Sequence, residues 1–150
     1  MKKAKLRHYR KKRNFDTTPE PGGTIDDTGK ARFVIQEHRA SHLHYDFRLE
    51  MDGVLKSWAV PKGLPTEPGI KRLAVRVEDH PVAYIDFEGV IAEGNYGAGT
   101  VQIRDRGTYV LQKRKENKEI LFELQGKKVK GNYALIHIND KSWIIFRRKS

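Results

Sequence analysis

The chain has 150 residues, no cysteine and a formal net charge of +11 at pH 7. The length predicts a single domain with its own core, and the absence of cysteine excludes disulfides, thiolate zinc sites and a cysteine nucleophile. No apolar run reaches the roughly 18 residues of a membrane span, and no signal-peptide core follows the basic start, so we expect a cytoplasmic protein without membrane attachment.

The chain begins with a strongly basic segment. Eight of the 30 Lys and Arg residues fall within residues 1–13, which hold no acidic residue, whereas the other 137 residues carry 22 basic and 19 acidic side chains. Such blocks of charge are typical of disordered tails that bind polyanions, and no apolar face favours a membrane instead. We predict a basic arm over residues 1–16 that binds nucleic acid, followed by a domain over residues 17–150. A solvated tail is the alternative.

After a turn-rich stretch over residues 17–29, short apolar runs of period two follow one another to the end of the chain. Strands are predicted over residues 32–38, 43–50, 54–60, 72–78, 83–87, 100–104, 107–112, 120–125, 132–138 and 142–148. Turn residues predict hairpins at 51–53, 105–107 and 139–141. Helix is limited to about one turn in the arm and a segment near 113–119. The pattern indicates an all-β fold, a compact closed β-barrel of about eight strands with few short helices.

The second predicted strand carries the strongest functional signal. Alternation puts Tyr45, Phe47 and Leu49 on an apolar side and His44, Asp46, Arg48 and Glu50 on a polar side. His38, at the end of the preceding strand, lies close enough to join His44 and Asp46 if the chain turns back at 40–41. Two imidazoles and a carboxylate can hold a metal ion and leave its opposite face open to water or substrate. Solvated histidines on a wet strand face are the alternative.

A second polar column is predicted further along the chain. Alternation over residues 72–81 puts Arg72, Arg76, Glu78 and His80 on one side. If this column faces the first, Glu78 can orient a ligand histidine while His80 and Arg48 meet an anion; surface charges on a wet face are the alternative. Lys62 follows a strand end, where side chains are often functional or merely exposed.

One further motif is interpreted as structural, and the motif of another enzyme class is absent. The glycine-rich run 93–100 lacks the Gly-Lys-Ser/Thr ending and the strand-to-helix context of a phosphate loop, so it is interpreted as a turn between barrel strands. No G-x-S-x-G motif of a serine hydrolase occurs.

Five runs resemble the 3′-phosphoesterase domain of bacterial DNA ligase D. They are FVIQEH (33–38), LHYDFRLE (43–50), LKSWAVPKG (55–63), VEDHP (77–81) and GNYGAG (94–99), joined near the start by YRKKR (9–13) and TPEP (18–21). The resemblance covers nearly the whole chain. Because no polymerase or ligase module is attached to it, we expect a stand-alone member of that family.

The resemblance implies a manganese-dependent β-barrel enzyme, with other divalent transition metals as possible substitutes, that heals DNA 3′ ends for non-homologous end joining. It implies removal of a 3′-terminal ribonucleoside and then of the remaining 3′-phosphate, leaving a 3′-OH. Expected partners are DNA 3′ ends and separate end-joining polymerase, ligase and end-binding proteins, with the protein acting as a monomer in the nucleoid.

The resemblance also implies residue roles. His38, His44 and Asp46 match the family's metal ligands, and Arg48 and His80 match its phosphate-binding, transition-state-stabilising residues, with Tyr84 beside them. The positions that support activity in the family fall on Arg13, Glu20, Gln36, Lys62, Arg72 and Glu78. One departure is Asn14, where the family often has Asp.

Two other functional classes stay open. A two-His, one-carboxylate set on a β-barrel also occurs in non-heme iron oxygenases, which need a pocket for an organic co-substrate. A basic β-barrel can also be a non-catalytic nucleic-acid-binding module, which would leave the histidine and aspartate column without a purpose.

Overall fold

The computed structural model describes residues 6–15, 18–21 and 31–149. Residues 1–5 and 16 of the predicted basic arm and most of the predicted turn-rich stretch lie outside these described residues. Within them, no helix has the length and apolar character needed to cross a membrane.

The described residues form nine strands, one short α-helix and one 3-10 helix. The strands are β1 (Arg32–Arg39), β2 (Leu43–Met51), β3 (Val54–Val60), β4 (Lys71–His80), β5 (Gly89–Ile91), β6 (Gly99–Lys115), β7 (Glu119–Gly126), β8 (Lys130–Asn139) and β9 (Ser142–Arg147). Helix α1 (Arg7–Lys11) precedes the sheet, and the 3-10 helix (Val82–Asp86) joins β4 to β5.

The strands close into an antiparallel barrel. The order around the sheet is β1-β2-β3-β4-β9-β8-β7-β6, and pairing of β1 with β6 closes it. The short β5 adds to β6 outside this ring. Eight strands enclose an interior that side chains can fill, and closure leaves the eight strands of the ring without free edges. The predicted all-β barrel of about eight strands is confirmed.

The barrel interior holds the main core. Phe47 and Leu49 of β2 point inward, as their period-two spacing predicts, and pack with Phe33 on β1 and with Trp58 on β3. Phe47 stacks on Phe122 from β7 across the interior, with ring centroids 5.7 Å apart. These inward residues fix which face of β2 points away from the core.

A second apolar cluster covers part of the outer surface of the barrel. It includes Leu6 and Tyr9 from the N-terminal segment and Tyr84 and Ile85 from the 3-10 helix, packed on outward residues such as Val34. Strands β1 and β2 are therefore buried on both faces along much of their length. Polar side chains on the outer face of these two strands therefore lie beneath the second apolar cluster and not in open solvent.

The N-terminal segment is part of this cover. Helix α1 confirms the helical turn predicted in the basic arm, and Leu6 and Tyr9 are fully buried. The division into an arm over 1–16 and a domain over 17–150 stays a prediction.

Several predicted elements are wrong. Residues 83–87 are not a strand, because the chain leaves β4 at Pro81 and turns into the 3-10 helix. The predicted hairpin at 105–107 is part of the continuous strand β6. Position 107 requires glycine, because a Cβ there would lie 2.2 Å from the Gln125 carbonyl oxygen on β7. Asp105 does not initiate a turn, since its carboxylate accepts the backbone N–H groups of residues 127–129.

The predicted helix near 113–119 is also wrong. Its residues end β6, turn at 116–118 and begin β7, with Asn117 at a positive φ of 56°. The hairpins predicted at 51–53 and 139–141 are confirmed, with Asp52 and Asp140 in the left-handed region that Asp adopts more readily than most residues.

Candidate active site

The β1–β2 hairpin brings the predicted metal ligands together. Its register sets His38 opposite His44, Gln36 opposite Asp46 and Val34 opposite Arg48. Directly opposed residues in an antiparallel pair point to the same face of the sheet. This face is the outer one, because Phe47 and its neighbours occupy the interior. The histidines, the carboxylate and the arginine thus converge on the covered outer surface.

His38, His44 and Asp46 form one compact donor set. Nδ1 of His38 lies 3.4 Å from Oδ2 of Asp46, and Nε2 of His44 lies 3.3 Å from Oδ1. One donor atom from each residue falls within 4.8 Å of the others. Such a cluster of two nitrogens and an oxygen on one face fits a divalent transition metal.

Backbone carbonyls orient both histidine rings. Nε2 of His38 lies 2.7 Å from the Gly97 carbonyl oxygen, and Nδ1 of His44 lies 3.1 Å from that of His42. A carbonyl only accepts hydrogen bonds, so each of these nitrogens carries the proton. In the neutral rings, the remaining nitrogens turn their lone pairs toward Asp46. Lone pairs and a carboxylate that face one another without a proton are mutually repulsive, and a cation between them removes the repulsion.

The site keeps its carboxylate ionised. Burial alone would raise the pKa of Asp46, but the Arg48 charge and the hydrogen bonds that the His38 and His44 rings donate when protonated hold it well below its ordinary value. Without a metal, that hydrogen bond to Asp46 raises the pKa of His44. An ionised carboxylate beside two imidazoles is the state that metal binding requires.

Arg48 is a buried cation with one unused donor. Its Nε donates to Oε1 of Gln36 at 2.6 Å, its Nη2 lies 3.4 Å from Oδ2 of Asp46, and its guanidinium stacks over the Tyr84 ring at 4.8 Å. Nη1 has no hydrogen-bond partner among the residues that the structure describes. Buried donors are almost always satisfied, so this atom is open to a hydrogen-bond acceptor that enters the cavity.

His80 is buried and neutral. Its Nδ1 donates to the Glu78 carbonyl oxygen at 2.9 Å, and its Nε2 lies 3.3 Å from Nη2 of Arg13 and accepts from it. Burial and the charges of Arg48 and Arg13 lower the pKa of His80 well below its ordinary value. The positive charge beside His80 therefore comes from Arg13 and Arg48 and not from the imidazole.

Arg13 ties the N-terminal segment to the barrel. Its Nε donates to Glu20 at 3.0 Å, its Nη1 donates to Glu78 at 3.2 Å, and its guanidinium lies 3.9 Å from the Tyr9 ring centroid. Both carboxylates are buried. A buried cation between two buried carboxylates is a rigid arrangement, because removal of any member leaves a charge uncompensated.

Tyr84 and Gln36 connect this network to the metal ligands. The Tyr84 hydroxyl donates to Glu20 at 2.6 Å, and burial raises the pKa of Tyr84 above its ordinary value. Nε2 of Gln36 donates to the carbonyl oxygens of Tyr84 and Phe87, at 2.9 and 3.1 Å. Gln36 thus anchors the 3-10 helix and presents its own oxygen to Arg48.

The site lines a cavity of about 260 Å³. Of the predicted site residues, the structure brings nine to its wall, and Gln36 reaches it through Arg48. The nine are Arg13, Glu20, His38, His44, Asp46, Arg48, Glu78, His80 and Tyr84.

Lys62 and Arg72 lie elsewhere. Nη1 of Arg72 donates to the carbonyl oxygens of Lys62 and Gly63, at 2.8 and 3.1 Å, and so holds the loop after β3. Lys62 lines a different cavity.

The predicted polar column over 72–80 is split. Leu55 and Ser57 of β3 pair with His80 and Val77 of β4, so two steps on one strand match three on the other. This bulge shifts the alternation. Glu78 and His80 face the site, while Arg76 stacks over Trp58 at 4.9 Å. Glu50, expected beside Arg48, instead forms an ion pair with Arg32 at 2.7 Å.

A second wall of the cavity was not predicted from the sequence. Lys12 donates to Glu78 at 3.2 Å and lies 4.6 Å from the centroid of the Tyr96 ring, which also lines the site. Tyr96 and Gly97 belong to the glycine-rich run interpreted only as a turn. Gly97 has a φ of +75°, which disfavours any side chain, and a Cβ there would lie 3.3 Å from Cε1 of His38.

Comparisons with known proteins identify the family. A model of the DNA ligase D 3′-phosphoesterase domain matches residues 36–137. The chain is 49% identical to the multifunctional non-homologous end joining protein LigD of Pseudomonas aeruginosa, over 96% of this chain and 18% of the relative. The LigD proteins of Mycobacterium bovis and Mycolicibacterium smegmatis are 48% and 47% identical, over 97% of this chain and 20% and 21% of their own lengths.

The chain spans about a fifth of the length of these curated relatives. The family match covers more than half of the chain, and the identity extends over nearly all of it. The chain therefore belongs to the DNA ligase D 3′-phosphoesterase domain family.

Proposed function

We propose that this protein is a manganese-dependent phosphoesterase that heals DNA 3′ ends for non-homologous end joining. It removes a 3′-terminal ribonucleoside, which leaves a 3′-phosphate, and then hydrolyses that phosphate to a 3′-OH. One observation carries the proposal: a His-His-Asp donor set lies beside a buried arginine whose Nη1 has no partner among the described residues. A metal-ligand set and an anion site in one cavity suit phosphoester hydrolysis.

His38, His44 and Asp46 are the proposed metal ligands, through Nδ1, Nε2 and a carboxylate oxygen. When bound, the metal supplies Lewis-acid polarisation of a phosphoryl oxygen and a water of lowered pKa. Two imidazoles disfavour magnesium, which prefers oxygen ligands, and favour manganese or another divalent transition metal.

Arg48 is the proposed phosphate-binding residue. Its Nη1, which has no partner in the described part of the chain, can donate to a non-bridging oxygen, while Gln36 and Tyr84 fix the guanidinium plane from two sides. A donor that is already oriented loses no conformational freedom when charge develops in the transition state.

The remaining residues of the network are proposed to position the reacting groups. His80 accepts a hydrogen bond from Arg13, and Glu20 and Glu78 hold the same guanidinium in place. Tyr84 presents its ring to Arg48 and its hydroxyl to Glu20. Lys62 and Arg72 lie outside this cavity, so we propose that they contribute to activity through the rest of the substrate and not at the reacting phosphate.

A time course on a defined DNA end tests the proposed reaction. The substrate is 5′-labelled duplex DNA with one 3′-terminal ribonucleotide, incubated with Mn²⁺. We expect a 3′-phosphate product to accumulate first and a 3′-OH product to replace it. A control duplex that carries a 3′-phosphate from the start should give only the second step. Direct formation of the 3′-OH product without a phosphate intermediate would contradict the proposed order.

Gly97 offers a test of the histidine geometry. A Cβ on residue 97 would lie 3.3 Å from Cε1 of His38, so Gly97→Ala should displace the ring and weaken Mn²⁺ binding. The positive φ adds a backbone penalty of about 1–2 kcal/mol. Gly94→Ala is the matched control, because Gly94 has a φ of +90° and a Cβ added there would meet no atom within 4 Å.

Both alanine variants should therefore unfold at lower temperature by similar amounts, but only Gly97→Ala should lose Mn²⁺ affinity in a calorimetric titration. Equal Mn²⁺ affinity in the two variants would show that the Gly97 loop does not set the position of His38.

A further inference from the structure

A second cavity, of about 280 Å³, opens where the barrel interior meets solvent, near the start of β2. Its walls include Tyr45, Leu64 and Val129, which are partly buried and pack against the main core. Its rim carries Lys62, Arg104 and Lys128. The cavity thus combines an apolar, aromatic interior with a cationic edge.

The positive charge of this rim is available to a ligand. Asp105 is the acidic residue that lines the cavity, and its carboxylate already accepts four backbone N–H groups, those of residues 106 and 127–129. Arg104 forms an ion pair with Glu37, which Arg39 also neutralises. Lys62 and Lys128 form no ion pair with any residue in the described part of the chain. Two lysines therefore face solvent without a counter-ion among the described residues.

The cavity and the metal site lie on opposite faces of one strand. Tyr45 stands between His44 and Asp46 in β2, and its side chain points to the other face. The loop that carries Lys62 is held by Arg72, and Gly63 in that loop lies against the Tyr45 ring, where a Cβ would approach to 3.4 Å. The ring and the backbone that carries Lys62 are thus held in place before any ligand binds.

We propose that this cavity binds an unpaired nucleotide of the nucleic-acid strand whose end is processed, with the base on the Tyr45 ring and the flanking phosphates on Lys62 and Lys128. The inference rests on the proposed function, which supplies the nucleic acid. A cationic groove with an aromatic ring at its base is the arrangement by which proteins bind single-stranded nucleic acids, since any base can stack on the ring. Within a duplex, each internal base already has both faces stacked and cannot lay one on a recessed ring.

Stacking is tested with a dT oligonucleotide that contains one 2-aminopurine, in chelator and without metal. We expect quenching of 2-aminopurine fluorescence on binding to the wild type and to Tyr45→Phe, and loss of the quenching with Tyr45→Leu. The leucine variant should also bind about fivefold or more weakly. Thermal melts of the three proteins establish that they are folded. Equal quenching by Tyr45→Leu, or no quenching by the wild type, would overturn the proposal.

The lysines are tested by the salt dependence of binding to the same oligonucleotide. Lys62→Ala/Lys128→Ala should make the slope of log affinity against log salt shallower by about 1.4, or about 0.7 per lost contact. The backbone N–H of residue 128 is retained, so Asp105 keeps its partners. The control Lys115→Ala/Lys118→Ala removes two exposed cations at the β6–β7 turn, where Lys115 lies beside Met51 at the other end of β2, and should leave the slope unchanged.

Equal changes in the two double variants would show binding by general charge and would overturn the proposal. So would tighter binding of a hairpin duplex with the same number of phosphates. Because no metal or turnover is involved, these outcomes are independent of the hydrolysis assay. Failure of the proposed function would appear separately, as wild-type protein that leaves a 3′-phosphate intact.

Discussion

His44→Ala is expected to abolish Mn²⁺ binding and to reduce 3′-phosphate hydrolysis by several orders of magnitude, while His42→Ala leaves both intact. His44 turns Nε2 toward Asp46, at 3.3 Å from its carboxylate, and is one of the three donors of the cluster. His42 is exposed and contributes only its carbonyl oxygen, which accepts from Nδ1 of His44 and survives the substitution. The pair therefore compares two histidines of one hairpin that differ in access to the metal.

The measurement is a calorimetric Mn²⁺ titration combined with phosphate release from a 3′-phosphate duplex. His38→Ala and Asp46→Ala should behave as His44→Ala does. Asp46→Ala should also lower the thermal stability, because Arg48 then becomes a buried charge without its carboxylate partner, a loss of about 3–5 kcal/mol. A His42→Ala variant as inactive as His44→Ala would mean that the hairpin matters for folding and not as a ligand set.

Arg48→Lys is expected to keep Mn²⁺ binding but to lower kcat by about 10²–10³, the usual cost of losing one oriented donor to a transition state. Lysine retains the positive charge beside Asp46. It lacks the planar fork that lets arginine donate to Gln36 with Nε and keep Nη1 for the substrate. The defect should therefore appear in turnover more than in metal affinity.

Arg76→Lys is the matched control for this prediction. Arg76 also stacks over an aromatic ring, that of Trp58 at 4.9 Å, and pairs with a carboxylate, that of Asp79 at 2.8 Å. It lies outside the metal cavity, so its replacement should change stability and leave kcat unchanged. Wild-type turnover by Arg48→Lys, with both variants folded, would show that the phosphate is held by another group.

The outer-face location of the site explains why the N-terminal segment matters. Barrel strands have one face in the core, and a site on the other face stays open to water unless something covers it. Here Tyr9 and Arg13 cover it from one side and Tyr84 from another. Burial in this cover strengthens the electrostatic interactions of Arg48 and keeps His80 neutral.

The sequence predicted those parts of the site that depend on strand alternation alone. Period two separates Phe47 from Asp46 and Arg48, and a short hairpin sets His38 beside His44. These features depend only on the local geometry of two neighbouring strands.

The features that the sequence did not predict depend on contacts between distant segments. Asp105 and Gly107 are residue types typical of turns. In the structure Asp105 accepts hydrogen bonds from the 127–129 loop, and Gly107 allows the close approach of β7. The bulge between Val77 and His80 reverses which side chains share a face, and alternation cannot reveal it. Arg13 lies in a segment with the composition of a solvated tail. The family resemblance implied a role for it, but the charge pattern could not reveal its burial between two carboxylates.

The central claim is that the His38, His44 and Asp46 cluster binds the metal that hydrolyses a 3′-phosphate. The most direct test measures phosphate release from a 3′-phosphate duplex across a Mn²⁺ titration of chelator-treated protein, beside a direct binding titration of the same sample. We expect no release without metal, one Mn²⁺ bound per chain, and half-maximal release at the concentration of half-maximal binding. Full release in excess chelator, or an unchanged Mn²⁺ titration for His44→Ala, would contradict it.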